Sequence, residues 1–155
     1  MENSKKDYLI KVMGIQEVDN EKDQIELTTV GSYISKENGH SFIGYKEYDE
    51  DDPTISSNNL VKVEGDDRVT IIRNGGMQTR LILEKGRRHQ CHYRTPMGDL
   101  MIGVFADTIQ NDLSPVGGKL HVRYSLDFNN EHISNNEFYI DVTEKGDTNA
   151  DIKHS

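Results

Sequence analysis

Apolar and polar positions alternate with a period of two along most of this chain, the pattern of half-buried strands. The pattern is cleanest at Leu120, Val122, Tyr124, Leu126 and Phe128, and it recurs at Phe138, Ile140 and Val142. Upstream, the same period groups Tyr8, Ile10 and Val12, then Ile43, Tyr45 and Glu47, then Val61 and Val63, then Val69, Ile71 and Arg73, then Leu81 and Leu83. Residues 24–38 read as one long strand with Ile25, Leu27, Thr29, Gly31 and Tyr33 on a face, although Val30 and Ile34 lie on the other. Gly14 interrupts the first run and predicts a bulge or a sharp coil of the strand there. No window holds a convincing helical stripe of apolar residues at i, i+3, i+4 and i+7. The pattern predicts an all-β, antiparallel up-and-down barrel of roughly 8–10 strands, because closure removes the unpaired edges a meander would otherwise expose.

The turns test this reading. A one-residue slip would send every apolar side chain to the wrong face. A three-residue loop at Gly65-Asp66-Asp67 pairs Val63 with Val69 and Val61 with Ile71. An odd-length loop around Asn74-Gly75-Gly76 keeps Leu81 and Leu83 on that same face. A two-residue Pro96-Met97 loop pairs Tyr93 with Leu100 and Cys91 with Ile102, with proline at the position it favours. Asn38-Gly39 and Asn129-Asn130 are further turn signals, 19–23 reads as a turn, 49–53 as an acidic loop, and 111–118 as a loop. Residues 1–6 and 145–155 are polar and read as loose tails on one domain spanning 1–155.

The shared interior face is not purely apolar. Glu47 follows Ile43 and Tyr45 on it, Arg73 follows Val69 and Ile71, and Tyr93 and Tyr124 lie on it too. Both charges fall at strand ends, near a mouth. They make either a structural ion pair, with side chains that reach out to water, or the polar patch of a pocket in which Glu47, Arg73, Tyr45, Tyr93 and Tyr124 orient a small ligand.

Other candidate chemistry weakens under the same alternation. His89, Cys91 and His92 suggest a metal site, but a strand sends His89 and Cys91 one way and His92 the other, and no second cluster completes a ligand set. Cys91 then reads as a small core residue. Arg88, His92 and Arg94 fall together on the outer face, as solvated exterior or as an anion or partner contact. The acidic run at 49–52 fails the calcium-loop spacing because Pro53 takes the fifth position. Neither a catalytic residue nor a metal ligand nor a cofactor motif can be assigned.

Composition narrows the class. Of 155 residues, 27 are Asp or Glu and 18 are Lys or Arg, so the formal net charge is -9 and nucleic acid is not an expected partner. The apolar runs are too short to span a membrane. A single cysteine and the lack of an apolar leader stretch lead to the expectation of a reducing, cytoplasmic setting.

Six short segments carry a family resemblance between about residues 42 and 142. They are I-G-Y-K-E at 43–47, L-V-K-V at 60–63, V-T-I-I-R-N-G at 69–75, Y-R-T-P-M-G at 93–98, G-K-L-H-V-R-Y-S-L at 118–126 and S-N-N-E-F at 134–138. In this order and spacing the chain resembles the YwiB-like family of small bacterial proteins, a domain of unknown function classed with calycin-like β-barrels. Met97 stands where the family pattern has an aromatic residue before the turn glycine. The resemblance implies a lipocalin-like closed barrel in the cytoplasm and brings no activity. Two functions remain open: a non-enzymatic barrel binding a small molecule inside, or a module that binds an unknown protein partner through its charged outer surface. An enzyme using Glu47 as a base beside Arg73 has less to support it.

Overall fold

The computed structural model describes residues 7–75, 78–95 and 98–145, with the side chains of Arg94 and Thr95 outside the description. Met97 and nearly all of both expected tails also lie outside the described residues. Ten strands run in order: β1 (Tyr8–Val18), β2 (Glu21–Ser35), β3 (His40–Tyr48), β4 (Ser56–Glu64), β5 (Arg68–Asn74), β6 (Thr79–Glu84), β7 (Arg88–Thr95), β8 (Gly98–Ser114), β9 (Gly117–Phe128) and β10 (Glu131–Glu144). Each pairs with its sequence neighbour, and β1 pairs with β10, so the meander closes into a barrel.

The register follows the parity of the turns. Val61 faces Ile71 and Val63 faces Val69 across β4–β5, Ile71 faces Leu81 and Val69 faces Leu83 across β5–β6, and Cys91 faces Ile102 across β7–β8. Asp19-Asn20 and Asn129-Asn130 both adopt positive φ, the two-residue hairpin geometry that matches strand twist. The core fills the half of the barrel where the chain enters at Tyr8. Ile10, Ile43, Val63, Val69, Leu83, Val104 and Val122 are fully buried there. Tyr33 closes that end: its ring packs edge-on against Tyr8 at 5.4 Å, and its hydroxyl donates to the Ser114 carbonyl at 2.7 Å.

Several local expectations differ. Gly14 sits in unbroken register with both β10 and β2, so there is no bulge there; the irregularities lie at Ala106/Thr108 and His132/Ser134. Residues 111–118 are mostly strand, with Pro115-Val116 alone between β8 and β9, because inter-strand pairing overrides the turn-forming composition of N-D-L-S-P-V-G-G. The first turn is only Asp19-Asn20, and β2 ends at Ser35, before the Lys36–Gly39 turn. Ile25 and Leu100 keep the inward parity but lie at the far end, 66% and 39% exposed, where the barrel opens.

Gly31 and Gly44 have a packing reason. A Cβ on Gly31 would fall 2.3 Å from the Gly44 carbonyl oxygen, so β2 and β3 approach this closely only because residue 31 has no side chain, whereas a Cβ on Gly44 would meet the Ser32 hydroxyl at 2.8 Å. Their pairing spans just Ser32–Ser35 against Ser41–Gly44; beyond it β2 continues beside β1 alone.

Candidate functional site

One row of paired inward positions runs across half of the barrel's strands. Tyr45 pairs with Asn59, Asn59 with Arg73, Arg73 with Thr79, and Thr79 with Tyr93. Five adjacent strands therefore line up five polar or aromatic side chains along one cross-strand row, by register alone. Glu47 is two residues nearer the mouth on β3, on the same face. Tyr124 approaches from β9, with its ring edge-on to Phe138 at 6.2 Å.

These residues enclose a cavity of about 230 Å³ in the half of the barrel that the apolar core leaves unfilled. Its walls combine Val12, Leu27, Val61, Ile71, Leu81, Phe138 and Ile140 with the five candidate residues Tyr45, Glu47, Arg73, Tyr93 and Tyr124. Outside it lies a vestibule of about 450 Å³ bordered by Tyr48, Asp49, Ile55 and Ser56. Glu47, Arg73, Thr79 and Tyr93 border both spaces and so mark the boundary between them.

The polar groups of the cavity are incompletely partnered. Glu47 Oε1 accepts from Asn59 Nδ2 at 3.0 Å and lies 3.4 Å from Arg73 Nη1. Among the described residues, the hydroxyls of Tyr45, Tyr93 and Tyr124 have no hydrogen-bond partner, in contrast to that of Tyr33. Burial lifts the Tyr45 hydroxyl to a pKa of about 12; the Glu47 carboxylate adds to the rise and Arg73 opposes it. Burial also lifts Tyr124 to about 12, with a smaller contribution from Tyr93. Both phenols stay neutral across the physiological range and keep a proton to donate.

Other surface features satisfy themselves. A groove of about 530 Å³ crosses the outer wall over β8, β9, β10, β1 and β2, and the stacked rings of His121 and Tyr139, 4.3 Å apart, lie in it. His121 bonds Gln110 and Glu137 through its two ring nitrogens, and the Tyr139 hydroxyl donates to Glu137. Arg88, one of the expected outer cations, donates from Nε and Nη2 to the two oxygens of Asp127. His92 is exposed, and the Arg94 side chain lies outside the described residues. In the acidic loop, Asp49 accepts from the backbone of Asp51 and Asp52, and Asp52 accepts from Thr54, so these carboxylates shape the turn.

The His/Cys cluster divides as alternation requires. Cys91 is buried and its sulfur accepts from the Ile82 backbone N–H, while His89 bonds Glu84 at 2.8 Å. No group of three metal-ligating side chains gathers among the described residues. Sequence reasoning missed Asn59 and Thr79. The signal was present, because Asn59 lies two positions before Val61 and Thr79 two before Leu81 on the inward face.

Comparison with known proteins agrees on the architecture. A family model described as Domain of unknown function (DUF1934) matches residues 10–140. The chain is 26% identical over 144 residues to the uncharacterized beta-barrel protein YwiB of Bacillus subtilis (strain 168), covering 91% of this chain and 94% of that protein. It superposes on the crystal structure of ywiB protein from Bacillus subtilis with a TM-score of 0.67 at 21% identity, covering 88% of this chain and 92% of that one.

Proposed function

Because the chain belongs to the family described as Domain of unknown function (DUF1934), the YwiB-like β-barrel proteins, whose description names no activity, we propose a function from the cavity itself: the barrel binds a small molecule in its lumen, without catalysis. One observation carries this reading. Three tyrosine hydroxyls without partners among the described residues border one cavity beside the Glu47–Arg73 contact. A polar group left unbonded in a protein interior costs about 1–3 kcal/mol, so groups held this way fit a site that a ligand or exchangeable water completes. The apolar walls and few polar groups match the usual composition of small-molecule sites and a lipocalin-like use of the barrel. The lone, buried Cys91 supports a reducing, cytoplasmic setting.

The outer-surface alternative has less support, since Arg88 is engaged with Asp127 and the acidic loop bonds to itself. Native mass spectrometry of the purified protein, followed by a ligand-observed NMR screen of small compounds, tests the proposal. Binders are expected whose signals vanish in the lumen-filling variant Ile71→Trp, provided its circular dichroism matches the parent. Binding by the parent that Ile71→Trp leaves intact, or no binding at all, refutes it.

A further inference from the structure

The charged pair at the cavity mouth is incomplete on both sides. Glu47 Oε1 serves both Asn59 and Arg73, whereas Oε2 has no partner among the described residues. The Arg73 guanidinium touches Oε1 at 3.4 Å but donates no hydrogen bond among the described residues, and its side chain is 49% exposed, so its N–H groups are accessible to solvent or to a ligand at the mouth. The same barrel shows what a finished pair looks like: Arg88 and Asp127 meet through two guanidinium nitrogens and both carboxylate oxygens. Arg73 and Glu47 are held near each other by register, through Asn59, and not by a closed bidentate bond.

The occupant that completes such a pair follows from complementarity. Oε2 accepts, so it calls for a donor, and a cationic donor is the strongest. The guanidinium donates, so it calls for a planar anionic acceptor. A ligand with only one charge would set that charge against the like-charged member of the pair. The pair itself is neutral, and a ligand carrying both charges keeps it neutral. Behind the pair, Leu27, Ile71, Leu81 and Phe138 offer apolar wall, and Tyr45 adds a neutral hydroxyl to the same cavity. The cavity of about 230 Å³ has room for a small ligand and opens past Glu47 and Arg73 into the vestibule.

We propose that the lumen takes a small zwitterion with an apolar tail, such as an α-amino acid with an uncharged side chain, its ammonium on Glu47 Oε2, its carboxylate on Arg73 and its side chain pointing inward. This rests on the lumen as the binding site and names the class of its ligand. The negative charge of the protein and Asp49 in the vestibule suit the approach of the ammonium end, and the open Arg73 fork selects against ligands without a carboxylate.

The experiment uses the full chain and a panel of leucine, methionine and phenylalanine, each with its amide, which keeps only the ammonium, and its deaminated acid, which keeps only the carboxylate. A neutral probe, isoamyl alcohol, reports on the cavity alone. Binding is followed by titration calorimetry and by the ring signals of labelled tyrosines. At least one amino acid is expected to bind, with its amide and its deaminated acid each at least tenfold weaker. Glu47→Gln should bring the amino acid down to the level of its deaminated acid, and Arg73→Gln down to that of its amide. An amide or deaminated acid that binds as tightly as the amino acid overturns the inference. So does full affinity in either variant. If isoamyl alcohol shifts the tyrosine signals and no amino acid does, the zwitterion inference falls while the lumen remains a binding site. If no probe shifts them, both fall.

Discussion

The tyrosine hydroxyls allow a paired test with opposite signs. Tyr33 and Tyr124 are both inward tyrosines of the same barrel, and Tyr→Phe removes one oxygen from each. The Tyr33 hydroxyl donates to the Ser114 carbonyl at 2.7 Å and lies 3.4 Å from Ser41 Oγ. A net hydrogen bond of this kind contributes about 0.5–1.5 kcal/mol, and its loss from a site where the residue is only 6% exposed leaves the carbonyl short of a partner. Tyr33→Phe should therefore destabilise the protein by about 1–2 kcal/mol, equivalent to roughly 2–8 °C in Tm for a chain of this size. The Tyr124 hydroxyl has no partner among the described residues and already carries its desolvation cost. Tyr124→Phe relieves that cost, so the ligand-free protein should be unchanged or gain up to about 1 kcal/mol. Urea unfolding read by far-UV circular dichroism measures both, with a constant m-value as the sign that only stability has changed. A Tyr124→Phe variant as unstable as Tyr33→Phe would refute the reasoning, because that hydroxyl would then be bonded within the protein and the cavity would not be waiting for a partner.

Three further outcomes follow from other parts of the barrel. Gly31→Ala sets a Cβ against the Gly44 carbonyl oxygen and should cost about 1–3 kcal/mol in urea unfolding, whereas Gly39→Ala, with open space around its Cβ, should lose less through its φ of 90° alone. The Arg88 bonds hold the Asp127 carboxyl below its ordinary 3.8, so the pair's contribution is present above that pH and is lost as pH falls through the lower folded value; Asp127→Asn should flatten this acid limb of the stability curve. Burial raises Tyr45 and Tyr124 from 10.0 to about 12, and the hydrogen bond to Glu137 raises Tyr139, so an absorbance titration of the folded protein should show these three of its seven tyrosines ionising late, and the contribution of Tyr45 and Tyr124 to stability should be full below pH 10 and decline as pH rises toward 12.

The barrel was legible in the sequence because strand alternation and turn parity are local. Val61, Val63, Val69, Ile71, Leu81 and Leu83 share a face whichever way the sheet curls, and Gly65-Asp66-Asp67 sets the pairing of its two strands by loop length alone. The same parity placed Tyr45, Glu47, Arg73, Tyr93 and Tyr124 inward. Composition misled where pairing partners outweigh local preference: 111–118 has the residues of a loop, yet β9 and β8 hydrogen-bond along most of it. Gly14 reads as a bulge in isolation, but unbroken ladders on both sides hold it in register.

Depth is what sequence by itself could not supply. Alternation says which face a side chain takes and nothing about how far along the barrel axis it sits, because that depends on the accumulated stagger of neighbouring strands. Only the register of the paired strands puts Tyr45, Asn59, Arg73, Thr79 and Tyr93 in one cross-strand row and brings Glu47 within reach of Asn59 and Arg73. It also leaves the mouth half unfilled while Tyr33 seals the other end against Ser114. The chain's own pattern determined a barrel with a few polar groups inside. Tertiary stagger decided that those groups converge on one cavity.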